Sequence, residues 1–101
     1  MTETVRDDSA RRRYELETRG GGMAFIDYLR DGRNVIMTHA EVPRALRGGG
    51  VGSALVKGAL ELVRARGDKV VPLCPFVAQY MQRHPETGDL LAAAADRLRS
   101  P

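Results

Sequence analysis

Cysteine is nearly missing from this 101-residue chain, and tryptophan is missing altogether. The single cysteine, Cys74, excludes an internal disulfide bond and is typical of a reducing compartment, so we expect a cytoplasmic protein. One cysteine and two separated histidines do not supply a zinc-binding spacing, and the sequence predicts no metal site. An apolar run of roughly eighteen residues, which a transmembrane helix requires, is also missing. We therefore expect no membrane partner.

Neither sign of charge dominates strongly, because the formal net charge is only +3. That excess suits an anionic ligand, but it is too small and too dispersed to favour a nucleic-acid partner. The basic cluster at Ala10–Arg13 has no aromatic platform beside it, and we interpret it as solvated surface. The first ten residues are polar and contain no apolar signal core. We expect a flexible N-terminus over 1–10 and a single domain over 11–101.

Strand patterns fill the first half of the domain. Between positions 12 and 42, residues that favour strands alternate with charged ones, and an Asp-Gly pair marks a tight hairpin. In the third predicted strand, regular alternation places four side chains on one face, namely Val35, Met37, His39 and Glu41.

The second half of the domain is predicted to be mostly helical. Apolar residues recur at helical spacing over 51–67, and Gly67 is a natural C-terminal cap. A short buried strand follows at 68–74, and a second helix begins at Pro75. An alanine-rich third helix is predicted over 89–100. The predicted element order is therefore β-β-β-α-β-α-α.

The strand–helix–strand succession predicts which residues meet in space. Such a succession usually forms a crossover between parallel strands, whose C-terminal ends lie along one edge of the sheet. The intervening helix begins at that same edge, where ligands of such sheets bind. We therefore expect Glu41, the glycines before the helix and Cys74 to converge.

Three kinds of phosphate loop are candidates for the glycine-rich stretch before the helix. A Walker loop requires a Gly-Lys-Ser/Thr sequence, which is missing. A dinucleotide fingerprint fails because the glycine spacing breaks and no acidic residue ends the next strand. Arg47, Gly50 and Gly52 match an Arg-x-x-Gly-x-Gly pattern, in which bare backbone N–H groups at a helix N-terminus face an anion. The alternative is a plain loop with a glycine-rich helix entry.

Four blocks of the sequence, taken in order, resemble the GNAT N-acetyltransferase superfamily. The similarity is greatest to a group of members of about this length, and it extends roughly over 14–91. The blocks are HAEVP (39–43), GGGVG (48–52), VVPLCPF (70–76) and YMQRHPE (80–86).

The sequence departs from the pattern of that group at two places. Ala40 stands where the group usually has threonine, beside the expected cofactor. Thr87-Gly88 stands where an aromatic residue is usual, which affects the start of the last helix.

The resemblance implies a fold, a cofactor and an activity. The fold is the minimal GNAT-like acyl-CoA N-acyltransferase fold, an α/β domain with a mixed α+β sheet. The activity is transfer of acetyl from acetyl-CoA (coenzyme A) to an unidentified amine; the alternative is a non-catalytic CoA-binding or protein-interaction module. In the superfamily, the pantetheine arm pairs with backbone near Glu41 and Val42. The pyrophosphate rests on loop amides, here those of Arg47, Gly48, Gly49, Gly50, Val51, Gly52 and Ser53.

The chain is too short to hold the additional N-terminal helices that shape the acceptor site in larger superfamily members. We therefore expect an acceptor site that is either open or completed by a second copy or another protein.

Four residues are candidates for the chemistry of acetyl transfer, which requires a deprotonated amine, stabilisation of the tetrahedral oxyanion and a proton for the leaving thiolate. Glu41 is the candidate general base, with a plain surface glutamate as the alternative. His39 is either a base or a satisfied core histidine. Cys74 lies at a predicted helix start, where a thiolate is favoured, and it either attacks the thioester or fills the core. Tyr80 resembles the tyrosine that protonates the thiolate in the superfamily, and its alternative is a packing role.

Overall fold

The computed structural model describes residues 4–18 and 22–93. Within these residues the fold has two α-helices and five strands, with short 3-10 helices at Arg44–Leu46 and Pro85–Leu90. In chain order the elements are β1 (Val5–Asp8), β2 (Arg13–Thr18), β3 (Gly22–Asp31), β4 (Asn34–Glu41), α1 (Val51–Ala65), β5 (Lys69–Pro72) and α2 (Pro75–Arg83).

The strands form one mixed sheet in the order β1-β2-β3-β4-β5. Neighbours are antiparallel except β4 and β5, which are parallel and joined through α1. The predicted crossover and the predicted mixed α+β class are thereby confirmed. Both helices contribute apolar side chains to one core against one face of the sheet, among them Leu55, Val56 and Val63 from α1 and Val77 and Met81 from α2.

β1 lies within the segment that we expected to be a flexible N-terminus. Its residues pair in antiparallel register with β2, from Val5 opposite Leu16 to Asp8 opposite Arg13. Val5 is buried and packs against α1 at Gly58. These contacts join positions far apart in sequence, so the polar local composition does not reveal them. A paired strand thus occupies Val5–Asp8, within the segment 1–10 that we expected to be flexible.

The third predicted helix does not begin where expected. Leu91 has an extended backbone, with φ −65 and ψ 128, and bridges Val70 in parallel. The N–H of Ala92 donates a hydrogen bond to the Val70 carbonyl at 2.9 Å. This stretch continues the sheet beyond β5 instead of opening a helix at position 89. Residues 94–100 of the predicted helix lie outside the described residues.

A bulge in β4 reverses the side-chain alternation that we predicted for that strand. Asp27 lies opposite His39, but the next residue, Tyr28, lies opposite Met37, so Thr38 is an extra residue. Met37 points into the core with Tyr28, and His39 points to the opposite face with Asp27. The prediction that His39 shares a face with Met37 is wrong for this reason.

None of the helices within the described part of the chain is both long enough and apolar enough to cross a membrane.

A hydrogen bond between β1 and β3 leads to an expected alkaline loss of stability. The Tyr28 hydroxyl donates to Asp7 at 2.6 Å, and burial together with this bond raises the pKa of Tyr28 to about 12. Burial, with the nearby Asp7 charge, also raises the pKa of Tyr14. A raised folded-state pKa adds stability below the unfolded pKa, and that stability is lost as the pH rises through the folded value.

We therefore expect the free energy of unfolding, measured by urea titration, to fall from pH 10 towards pH 12. The fall should be smaller in Tyr28→Phe, which has no phenol to ionise. A flat profile over that interval, or an equal fall in the variant, would contradict the assignment.

Candidate functional site

The loop between β4 and α1, residues 42–50, turns the chain into the helix through glycine conformations. Gly48 has φ +89 and Gly50 has φ +83, a left-handed backbone that residues with a Cβ rarely adopt. Gly50 is also the N-cap of α1 and provides no side chain to cap it. The glycines therefore allow the left-handed backbone of this loop, and they leave the start of α1 without a side-chain cap.

The first N–H groups of α1 point out of the helix without backbone partners. The first N–H that bonds back is that of Ala54, which donates to the Gly50 carbonyl at 3.0 Å. Within the described chain, no acceptor is found for the N–H groups of Val51, Gly52 and Ser53, and no side chain caps them. A fifteen-residue helix places partial positive charge at this end. Such a terminus binds phosphate-like anions well.

β4 and β5 separate beside this helix entry. Their pairing runs from Asn34 opposite Lys69 to Met37 opposite Pro72, and β5 then ends. The Cys74 N–H donates to the Met37 carbonyl at 2.9 Å. This is the last backbone hydrogen bond between β4 and the segment that follows β5. In the part of the chain that the structure describes, β4 continues to its end at residue 41 with only β3 beside it. The last residues of β4, from 38 to 41, therefore have a free edge on the side of β5.

A cleft of about 490 Å³ joins this free strand edge to the helix entry. It is called the cofactor cleft below, and its walls come from the end of β4, the glycine loop, the first turn of α1 and the start of α2. The lining residues are His39, Ala40, Glu41, Val42, Arg47, Gly48, Gly50, Gly52, Ser53 and Phe76.

Most of the residues that the sequence singled out for the cofactor line this cleft, but two do not. The side chain of Val51 packs against the core. Gly49 uses its N–H in a turn, donating to the Leu46 carbonyl at 3.3 Å. At the mouth, the Arg47 Nε donates to the Val42 carbonyl at 3.3 Å and joins the loop to the strand end.

Phe76 is a lining residue that the sequence reasoning did not single out. Its side chain is 42% exposed, which is unusual for a large apolar ring. A Cβ built on Gly52 would lie 2.7 Å from the tip of this ring, so the glycine makes room for it. Phe76 is the last residue of the VVPLCPF block (70–76), so the family resemblance is the signal in the sequence that points to it.

Glu41 and His39 lie at the rim of the cofactor cleft. Because of the bulge, both point away from the helices: Glu41 is opposite Phe25 and His39 is opposite Asp27. Their side chains are 55% and 58% exposed, and His39 Nε2 lies 4.0 Å from Glu41 Oε1. His39 is therefore not a core histidine. Glu41 shares a face with His39 as predicted, but this face is not that of the core.

Cys74 occupies the predicted position at the start of α2 but is buried. It is the N-cap residue of that helix. Only 4% of it is exposed, and it packs in the core instead of lining the cofactor cleft. Of the two readings of this residue, the placement agrees with the small buried side chain.

Tyr80 lies at a different place from the cofactor cleft. It lines a second cleft of about 190 Å³ between α1, α2 and the Pro85–Leu90 helix. Its ring stacks on His84 with centroids 4.0 Å apart, and burial, with the charges of Glu86 and Glu61, raises the pKa of Tyr80. The expected tyrosine acid is thus not among the residues that line the cofactor cleft.

The mixed sheet, whose β4 and β5 separate beside a glycine-rich helix entry, has the fold of a GNAT-like acyltransferase. The sequence model of the GCN5-related N-acetyl-transferase family matches residues 13–90. The chain belongs to this family. A search of curated proteins found no match to the chain.

Proposed function

We propose that this protein is an acetyl-CoA-dependent N-acetyltransferase that transfers acetyl to a primary amine. One observation carries the proposal: the cofactor cleft combines an uncapped helix entry, a free strand edge and a carboxylate at the rim. Family membership supports acyl transfer as the class of reaction. The geometry supports the particular roles given to residues below.

The chain offers two features that fit acetyl-CoA. The free N–H groups of Val51, Gly52 and Ser53 would hold the pyrophosphate, since backbone donors at a helix N-terminus suit that anion. The free edge of β4 would pair with the amide-bearing pantetheine arm, as an added strand does. Phe76 and Val42 supply apolar wall to the same space.

Acetyl-CoA supplies an activated acetyl group and a thiol leaving group. The acceptor nitrogen attacks the thioester carbonyl, a new C–N bond forms, and the C–S bond breaks. In the proposed mechanism Glu41 takes the proton that the amine loses, as general bases at this kind of step do. The departing thiolate takes a proton from solvent, so the products are an acetamide and free CoA.

The proposed mechanism uses neither Cys74 nor Tyr80. Direct attack by Cys74 would require its sulfur to reach the thioester, but this side chain is buried in the core. Tyr80 lines the second cleft.

Matched glycine variants test the cofactor claim. Gly50→Ala and Gly32→Ala each place a Cβ on a left-handed residue with open space around it, with φ +83 and +60. Each should lower stability by about 1–2 kcal/mol. Only Gly50 lies at the cleft, because Gly32 is in the distant β3–β4 turn.

We expect Gly50→Ala to weaken acetyl-CoA binding at least about tenfold by calorimetry and Gly32→Ala to leave it unchanged. Equal acetyl-CoA binding by the unsubstituted protein, Gly50→Ala and Gly32→Ala would refute the assignment of the loop to the cofactor. Tight binding without transfer to any amine would favour the alternative, a CoA-binding or interaction module.

A further inference from the structure

Phe76 is a large apolar side chain of α2 that is exposed to the cofactor cleft. It is the second residue of that helix and is 42% exposed, whereas Val77 and Met81 of the same helix are buried. Within the described residues it is also the only part of α2 that lines the cleft. Contact of an apolar ring with water is unfavourable, so a ligand in the cleft that covers this ring gains free energy.

The ring of Phe76 packs against the first turn of α1 at Gly52. A Cβ built on Gly52 would lie 2.7 Å from Cζ of Phe76 and 3.1 Å from its Cε2, so the tip of the ring takes the space of a side chain. Gly52 lies within α1 and, unlike Gly48 and Gly50, has no left-handed φ. Alanine is favoured over glycine in a helix by about 1 kcal/mol. Because the backbone does not require glycine at this position, the ring accounts for it.

The packed ring borders the N–H groups at the helix entry that have no acceptor within the described chain. Gly52, which the ring contacts, is the middle residue of these three, between Val51 and Ser53. Ser53 is exposed, so water reaches this turn of the helix from its open side. Water weakens the attraction between N–H dipoles and an anion, and an apolar group that displaces water strengthens it. An anion at the helix entry would therefore have an apolar neighbour on the side of α2.

We propose that Phe76 is a positioning residue for the cofactor: its ring, packed on Gly52, shields the diphosphate of acetyl-CoA from water at the helix entry. The inference rests on the proposed function, because it concerns the cofactor of that same cleft. The ring has no group that donates or accepts a proton, so it has no part in breaking the thioester. Its removal should therefore raise the dissociation constant and the KM for acetyl-CoA and leave kcat at saturating acetyl-CoA unchanged.

Calorimetry with acetyl-CoA at about 0.05 M and about 0.5 M sodium chloride tests the shielding. We expect Phe76→Ala to weaken binding about tenfold at low salt, because an apolar contact is lost. At high salt the loss should grow by about threefold more, since a diphosphate open to solvent is screened more strongly than a covered one. Phe76→Leu keeps an apolar side chain and should give intermediate values.

Leu73→Ala is the matched control for this measurement. Leu73 is 52% exposed and lies just before α2, but it is not among the residues that line the cleft. Its replacement should leave the dissociation constants at both salt concentrations unchanged. An equal weakening by Leu73→Ala and Phe76→Ala would assign the effect to the packing of the whole segment and would overturn the inference.

Alanine at position 52 tests whether the ring acts through its contact with α1. Gly52→Ala keeps a helical backbone, and its Cβ would displace the tip of the ring. We expect it to weaken acetyl-CoA binding about as much as Phe76→Ala does. The double variant should bind no more weakly than Phe76→Ala alone, because no ring is left to displace. Losses that multiply in the double variant would mean that the added methyl group acts on the phosphate directly, which would overturn the inference.

The remaining outcomes separate this inference from the proposed function. Equal dissociation constants for the unsubstituted protein and Phe76→Ala at both salt concentrations would overturn the inference and leave acetyl-CoA binding standing. A large fall in kcat for Phe76→Ala at saturating acetyl-CoA would place the ring at the chemical step and would overturn the positioning role. If the unsubstituted protein does not bind acetyl-CoA, both proposals are overturned.

Discussion

Replacing Glu41 by glutamine is expected to lower kcat for acetyl transfer by about 10²–10⁴-fold, the usual contribution of a general base. The amide has nearly the size of the carboxylate but cannot take a proton from the attacking amine. Glu41 lies at the rim of the cofactor cleft, apart from the N–H groups at the helix entry. The dissociation constant for acetyl-CoA, measured by calorimetry, should therefore stay the same. Loss of acetyl-CoA binding along with kcat would assign Glu41 a binding role instead.

His39 is the matched control for this experiment, because its Nε2 lies 4.0 Å from the Glu41 carboxylate and is similarly exposed. His39→Gln should have a much smaller effect on kcat if Glu41 is the base. The reverse result, a large loss only in His39→Gln, would transfer the role to the histidine. Mass spectrometry of the protein after incubation with acetyl-CoA gives an independent check. An acetyl adduct that disappears in Cys74→Ala would contradict direct transfer.

The parts of the site that were predictable from sequence depend on short stretches of chain. The left-handed backbone at Gly48 and Gly50 arises within the loop itself, so glycine spacing before a helical pattern is sufficient to locate it. The meeting of Glu41 with that loop follows from the crossover rule, which constrains topology without knowledge of particular contacts.

The parts that sequence did not predict depend on contacts between distant strands and helices. Alternation along β4 assumes one residue opposite one residue, and the extra Thr38 reverses every later side chain. This reversal is what carries His39 and Glu41 from the core face to the face that holds Phe25. The ring of Phe76 beside Gly52 joins α2 to α1, and local composition carries no information on such a contact.

The second large effect concerns the packing of β1, the strand that the polar sequence of the N-terminus did not predict. In an exposed helix interior, glycine-to-alanine substitution usually stabilises by about 1 kcal/mol. A Cβ on Gly58 of α1 would lie 2.7 Å from the Val5 Cβ and would overlap a methyl carbon of the same side chain. β1 cannot easily retreat, because it is paired along its length with β2 and Asp7 is hydrogen-bonded to Tyr28. We therefore expect Gly58→Ala to destabilise by about 1–3 kcal/mol, as overpacking does.

The measurement is the free energy of unfolding by urea titration for a double-mutant cycle. Val5→Ala removes the methyl carbon that an added Cβ would overlap, so Gly58→Ala should be less destabilising in that background than alone. Lys57→Ala, at the exposed neighbouring position of α1, is the control and should change stability by less than about 0.5 kcal/mol. Strictly additive effects, or a gain in stability from Gly58→Ala, would mean that β1 does not dock against α1 at Gly58. If Gly58→Ala is destabilising and stability is partly recovered in the double variant, the missing side chain at Gly58 is what allows Val5 of β1 to pack against α1.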